Sequence, residues 1–209
     1  ADNKRRLFGE ANPDFTAAYT GFVNGESLAS SGISGAPEMY SYANPASTVG
    51  NYDIFAGTGS LSSSNYKFNF VSGVLTVGKT LLTITADSKS KLYGQANPAL
   101  TITYNGFVNG QSFATSGIKG AAALALNASE LSPVGNYPIV ITNGSLTSAD
   151  YDFAFVNGNL EVQKATLDVR ADNKTKIYGQ PNPDLTATIS GFVNGEILAN
   201  SGEIGRAHV

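Results

Sequence analysis

The sequence predicts a mainly β protein, assembled as a tandem of small β-rich units. Three observations carry that reading. Blocks of sequence return at a fixed offset of 85 residues. Apolar and polar residues alternate with the period of half-buried strands. Between those runs stand Asn-Gly, Asn-Pro and Gly pairs that turn the chain.

The repeat sets the domain organisation. Ala1-Asp2-Asn3-Lys4 returns as Ala86-Asp87-Ser88-Lys89 and as Ala171-Asp172-Asn173-Lys174. The pentapeptide Gly-Phe-Val-Asn-Gly begins at Gly21, Gly106 and Gly191, and Val-Gly-Asn-Tyr begins at Val49 and Val134. Residues 1–79 are the first unit, which lacks an opening strand; 80–164 are a complete second unit; 165–202 are a truncated third. The register predicts a parent sequence extending both ways. At Glu203 the register fails, and residues 203–209 back-translate, from the second base, to a common short-read sequencing adapter. The expectation is read-through there, so that His208, the single histidine, is not native.

Within the complete unit the elements follow in order. Leu82, Ile84 and Ala86 share one face of a first strand. Lys91 to Pro98 is turn-rich, and Asn97-Pro98 initiates a turn because proline pins its own φ and extends its predecessor. Leu100, Ile102 and Tyr104 form a second strand face, and Asn109-Gly110 turns the chain. Gln111 to Gly117 is the one candidate helix, about two turns long, with Gly117 as its C-cap. Residues 118–133 differ most between copies and read as a variable strand and loop. Tyr137, Ile139 and Ile141 make a third strand. Tyr151, Phe153 and Phe155 make a fourth, matched by Tyr66, Phe68 and Phe70. Asn157-Gly158 then closes a hairpin onto Leu160 and Val162. The order is β-β-short α-β-β-β, a β-grasp-like unit, with an Ig-like sandwich as the alternative. The expected core is Leu82, Ile84, Leu100, Ile102, Tyr137, Ile139, Phe153, Phe155, Leu160 and Val162. Each stabilises by about 1.5–3 kcal/mol on burial.

Between Val162 and the next core residue, Leu167, lie only Gln163, Lys164, Ala165 and Thr166, none of them Gly, Pro or Ser. A flexible linker would be longer and rich in Gly and Ser. The joint is expected to be short and semi-rigid, making the copies a beaded rod. The lone pair of strands in 165–202 is expected to be marginal, so that this tail is mobile or held only by contact with the second copy near Lys164.

Composition excludes several functions. Net charge is -3 with 14% charged residues, which argues against a basic nucleic-acid face. There is no cysteine, hence no disulfide scaffold and no thiolate zinc site. No apolar run approaches the ~18 residues of a membrane-spanning helix.

The punctuation Tyr93-Gly94, Asn97-Pro98, the 106–110 pentapeptide, Val134 to Tyr137 and Gly144-Ser145-Leu146 resembles the MBG domain family of bacterial secreted proteins. The resemblance covers residues 1–202; Phe8 replaces the tyrosine before Gly9. It implies a tandem, non-catalytic module of an extracellular or cell-surface protein, as spacer or stalk of an adhesin or biofilm matrix protein. Neighbouring repeats are then the first partners, and surface glycans or host or matrix polymers the further ones. It brings no catalytic residue.

Each candidate site also has a plain structural role open to it. Asp150 and Asp152 could seat calcium, but the first copy has Asn65 and Lys67 there. Asp2, Asp87 and Asp172 recur beside each joint, each two residues before a lysine, and read as turn residues. Tyr93-Gly94 and Tyr178-Gly179 could stack on sugar, but packing of Gly against backbone is favoured. The Asn-Gly pairs at 24, 109, 143, 157 and 194 are turns, with no phosphate-cradling pattern around them. No native His or Cys supplies a general base, and Glu130 is Pro45 in the first copy, so no enzyme is expected. A Lys–Asn crosslink needs a buried lysine, and every lysine reads as polar in setting. No catalytic, cofactor-binding or metal-ligating residue is assigned, and no cofactor. The runner-up is a carbohydrate-binding module using 118–133 and its counterpart with Tyr40 and Tyr42.

Overall fold

The computed structural model describes residues 1–200; the expected read-through at 203–209 and His208 lie outside the described residues. The strands are β1 (Lys4–Leu7), β2 (Glu38–Tyr40), β3 (Gly50–Gly57), β4 (Gly73–Gly78), β5 (Thr80–Ala86), β6 (Lys89–Leu92), β7 (Ile102–Asn105), β8 (Ala123–Leu126), β9 (Gly135–Thr142), β10 (Tyr151–Val156), β11 (Gly158–Gln163), β12 (Asp168–Ala171) and β13 (Ala187–Ser190). The chain forms two compact units. One comprises Ala1–Ile84, Tyr104–Ala123 and Asn143–Phe155; the other comprises Thr85–Thr103, Leu124–Thr142 and the chain from Val156 onward.

The first unit holds a four-stranded sheet in the order β1-β4-β3-β2. Strand β1 runs parallel to β4, with Lys4 opposite Leu75, and β3 is antiparallel to β4, with Tyr52 opposite Leu75. Ile54, Leu75 and Ala43 form its buried centre, with Phe15 and Tyr52 packed against them. The second unit repeats the arrangement as β6-β11-β9-β8. Lys89 now faces Leu160, and Tyr137 faces Leu160, each pairing displaced by one repeat. Strands β12 and β13 pair antiparallel, with Val169 opposite Ile189. A three-stranded sheet has the order β10-β5-β7.

The structure corrects several expectations. Among the described residues there is no helix, so the β-grasp detail of a helix over the sheet fails. Residues 111–117 make one tight turn instead. The Ser112 N–H donates to Thr115 Oγ1 (2.8 Å), and Ser116 Oγ donates back to the Phe113 carbonyl (3.1 Å). These short polar side chains serve the groups that a second helical turn would use, and Gly117 (φ 72°) reverses the chain. The hairpin at Asn157-Gly158 is also absent. Strands β10 and β11 belong to different sheets. Asn157 Oδ1 accepts from the Ile141 N–H (3.0 Å), and a Cβ at Gly158 would sit 2.4 Å from the Ala86 carbonyl oxygen. The segment Tyr66 to Phe70 alternates like β10 but is not a strand.

The stretch after Ser88 begins with a strand, β6, and its Lys91 is buried, at 5% exposure. The ammonium donates to the carbonyls of Gln95 (2.8 Å) and Ser129 (2.7 Å). Asn97 Nδ2 donates to the Ala128 carbonyl (2.6 Å). In the first repeat Arg6 takes the same place, bonding Asn12 Oδ1 (2.8 Å) and the Asn44 carbonyl (2.5 Å), while Asn12 bonds the Ala43 carbonyl (2.7 Å). This cation-and-amide latch ties the Asn-Pro turn to the end of the variable segment. The expected core is met in part. Leu82, Ile84, Ile139, Leu160 and Val162 are buried, whereas Leu100, Ile102, Tyr137, Phe153 and Phe155 are half-buried. Tyr151, Ile118, Ile141 and Leu146 are buried beside them.

Candidate functional site: the joint between repeats

Only Lys79 separates β4 of the first repeat from β5 of the second, so the joint is built by side chains around a nearly continuous extended chain. Everything at this first joint lies within the first unit. Its centre is aromatic. Phe8 (2% exposed) meets Tyr151 (1% exposed) edge to face, with centroids 5.7 Å apart and planes at 83°. Phe107 also meets Tyr151 edge to face, at 5.7 Å and 81°. Edge-to-face pairs add about 0.5–1.5 kcal/mol beyond the area they bury. The Tyr151 hydroxyl donates to Gln111 Oε1 (2.5 Å) and accepts from the Val108 N–H (3.2 Å), so the buried phenol is satisfied.

The two most regular motifs of the sequence meet here. A Cβ on Gly9 would lie 2.5 Å from the Val108 side chain, and Gly9 has φ 89°, which a side chain would strain. The Gly9 N–H and Asn109 Nδ2 both donate to the Pro45 carbonyl, each at 3.1 Å. Thr80 Oγ1 donates to the Phe8 carbonyl. The aromatic-Gly pair of one repeat is thus the seat for the Phe-Val-Asn of the next. By sequence alone the pentapeptide reads as a turn. The signal missed was its central Phe-Val, identical in all three copies where a turn alone demands only Asn-Gly.

Asp150 and Asp152, weighed for calcium, serve this joint instead. Asp150 Oδ1 accepts from the Val49 N–H (2.9 Å), and Asp152 lies 3.5 Å from the Lys79 ammonium, which also donates to the Ser148 carbonyl (3.1 Å). That ion pair is largely exposed and contributes little.

The second joint lies within the second unit and differs at its centre. A Cβ on Gly94 (φ 81°) would lie 2.6 Å from Val193. Tyr93 and Phe192 occupy the places of Phe8 and Phe107. Among the described residues no ring stands between them, and a cavity of about 300 Å³ remains, lined also by Val134, Leu167 and Val193. The Tyr93 hydroxyl donates to Glu196 Oε1 (2.5 Å). That bond to a carboxylate raises the phenol's pKa above its ordinary value, against a smaller opposing contribution from Asn194. At the third aromatic-Gly pair, Tyr178 is fully exposed and Gly179 has nothing within 4 Å.

The recurrent aspartates take a role that sequence reasoning did not foresee. Asp87 accepts from Thr101 Oγ1 (2.5 Å) and Thr103 Oγ1 (2.7 Å), and Asp172 accepts from Thr186 (2.5 Å) and Thr188 (2.7 Å). These hydrogen bonds, chiefly those from Thr101 and Thr186, lower both carboxyl pKa values, with Lys89 and Lys174 assisting. Asp2 bonds Thr16 (2.6 Å). Asn24, Asn109 and Asn194 adopt φ 53–57°, as turn residues do. Glu130 is exposed. Among the described residues no group of three or more His, Cys, Asp or Glu is placed to hold a metal ion, and no helix is long and apolar enough to cross a membrane. Tyr40 stacks on Phe55 at 5.3 Å, and Tyr42, 79% exposed, stands 5.5 Å from Tyr40 and 5.7 Å from Phe55. The second repeat carries Ala125, Asn127 and Val140 in those places.

The model of the MBG domain (YGX type) matches the chain three times, at residues 1–76, 82–161 and 167–207, and the chain belongs to that family. The aromatic-Gly pairs at Phe8 and Tyr93 are then the joint residues just described, and Tyr178-Gly179 is the third such pair of the sequence. The comparison with curated proteins found no match.

Proposed function

We propose that this tandem of MBG domains is a non-catalytic spacer of an extracellular or cell-surface protein, the stalk of an adhesin or a strut of a biofilm matrix. The observation that carries the reading is the Phe8–Tyr151–Phe107 cluster, in which a buried core is shared by two successive repeats. A sequence that invests its most regular motifs in coupling neighbours is suited to transmitting position along the chain. Arrays of two, four and six copies of residues 80–164, compared by small-angle scattering, test this. Maximum dimension is expected to grow in proportion to copy number. Growth as its square root, the law of a flexible chain, would overturn the spacer reading.

A second reading has its own observation. The cluster of exposed Tyr40 and Tyr42 around half-buried Phe55 offers ring faces on which a sugar could stack, which supports a carbohydrate-binding role for the first repeat. A glycan array with the whole chain and with Tyr42→Ala tests it. Binding lost in the variant is expected under this reading, and no binding by either would remove it.

A further inference from the structure

The two faces of the first sheet compare differently with the second repeat. On the buried side, Ala43, Tyr52, Ile54, Leu75 and Val77 return 85 residues later as Ala128, Tyr137, Ile139, Leu160 and Val162. On the outer side, Glu38 and Tyr40 of β2, Tyr42 just beyond it, and Asp53 and Phe55 of β3 return as Ala123, Ala125, Asn127, Pro138 and Val140. Three rings and two carboxylates are thus replaced together, and the second repeat forms the same four-stranded order without them. The fold does not account for this group.

Strand pairing fixes how the group is laid out. Tyr40 lies opposite Phe55, and Glu38 opposite Gly57. Side chains two apart on a strand share a face, which sets Glu38 beside Tyr40 and Asp53 beside Phe55. The rings hold the middle, with Tyr40 stacked on Phe55 and Tyr42 steeply inclined to both, at 79° and 67°. The carboxylates stand at opposite ends, roughly 13 Å apart along the strand direction. Both are exposed, and among the described residues neither makes an ion pair. Arg5, the cation on this face, is on β1 at the opposite edge of the sheet. A hydrogen bond with Tyr42 foremost, and more weakly the charge of Glu38, raise the Tyr40 pKa, so this carboxylate is within electrostatic reach of the rings.

Such a surface suits a ligand that is both ring-shaped and cationic. A pyranose presents a face of C–H bonds that packs on an aromatic ring. An ammonium is attracted by the negative face of that ring and by a carboxylate. A neutral sugar gains nothing from the charge of Glu38 and Asp53, and an acidic one is repelled by it. We propose that this face of the first repeat binds a polymer of amino sugars, a glucosamine chain with free amines, its rings on Tyr40, Tyr42 and Phe55 and its ammonium groups toward Glu38 and Asp53. The inference rests on the carbohydrate-binding reading and narrows it to a cationic chain.

The test measures binding of soluble oligomers to the whole chain by isothermal titration calorimetry, at a pH of about 5–6, where an aliphatic amine is cationic. The probes are β-linked hexamers of glucosamine, N-acetylglucosamine and glucose, and a lysine hexamer. The glucosamine hexamer is expected to bind about tenfold or more tighter than the other three, because it alone joins stacking to charge. The double variant Glu38→Gln, Asp53→Asn should lose that preference, and Tyr42→Asn should weaken every sugar. All three positions carry other residues in the second repeat, whose sheet forms regardless, so loss of binding is not loss of fold. Equal binding of the three sugars would overturn the inference and leave the carbohydrate reading standing. Binding of no sugar would remove both. A lysine hexamer bound as tightly as the glucosamine hexamer would also overturn the inference, because charge alone would then explain the site.

Discussion

The two joints of this chain are built from the same motifs and end in different states. At the first, Phe8, Tyr151 and Phe107 close on one another, and Phe8 and Tyr151 are almost wholly buried. At the second, Tyr93 and Phe192 hold the corresponding places around a cavity of about 300 Å³. The glycine contacts are the same in both: Gly9 lies under Val108, and Gly94 lies under Val193. So the backbone docking of one repeat on the next needs only the aromatic-Gly pair and the pentapeptide. At the first joint the space between the two rings is filled by Tyr151 of β10.

The largest effect should follow from removing the shared ring. Tyr151→Ala empties a fully buried aromatic site, and loss of a buried aromatic costs about 3–5 kcal/mol. The counterpart Tyr66→Ala should cost clearly less, since Tyr66 is half-buried and, among the described residues, meets one ring, Phe22 (5.9 Å), where Tyr151 meets two. Urea unfolding followed by tyrosine fluorescence checks the order. Equal costs would show that Phe8 adds nothing to Tyr151.

The glycines separate strain from packing. Gly9→Ala places a Cβ 2.5 Å from Val108 at φ 89°, whereas Gly179→Ala meets nothing within 4 Å at φ 85°. The second change carries backbone strain alone, about 1 kcal/mol, and the first should exceed it by a further ~1–3 kcal/mol of overpacking. Thermal unfolding of the two variants measures the difference. Equal shifts would mean that the joint yields to admit a methyl group.

Smaller effects come from titration. The folded pKa values of Asp87 and Asp172 are depressed, so their contribution is present above the unfolded carboxyl pKa and is lost as pH falls through the lower folded value. Tyr93 is raised, so its contribution is present below the ordinary phenol value of 10.0 and is lost as pH rises through the higher folded value. Thr101→Val should flatten part of the acid limb, and Tyr93→Phe should flatten the alkaline limb. Melting temperature against pH checks both, and unchanged limbs would contradict the assignments.

Much of the fold is legible in the sequence because repetition and alternation are local signals. The 85-residue period places β5, β9, β10 and β11 without reference to any partner. What is not legible depends on residues far away. Strand β6 reads as polar in Lys89-Ser-Lys-Leu92, because nothing local says that Lys91 turns inward to two carbonyls of the loop. Residues 111–117 carry helix-compatible residues, yet Ser112, Thr115 and Ser116 bond their own backbone first. The switch of sheets at Asn157 looks like a hairpin turn until its side chain is seen bonding Ile141. Tyr66 to Phe70 shows the same limit from the other side. Alternation makes a segment able to be a strand, and a neighbouring strand makes it one. At the joint, Tyr93-Gly94 was legible as a packing element, whereas its partner, the pentapeptide, was hidden behind its Asn-Gly turn.

The central claim is that successive repeats are coupled through Phe8 and Tyr151. A double-mutant cycle with Phe8→Leu and Tyr151→Leu, measured by urea unfolding of the whole chain, tests it most directly. The account predicts a coupling energy of about 0.5–1.5 kcal/mol, the range for edge-to-face aromatic pairs. A coupling of zero within error, with the two single costs simply adding, would show that the rings are neighbours without holding the repeats together, and would contradict the account.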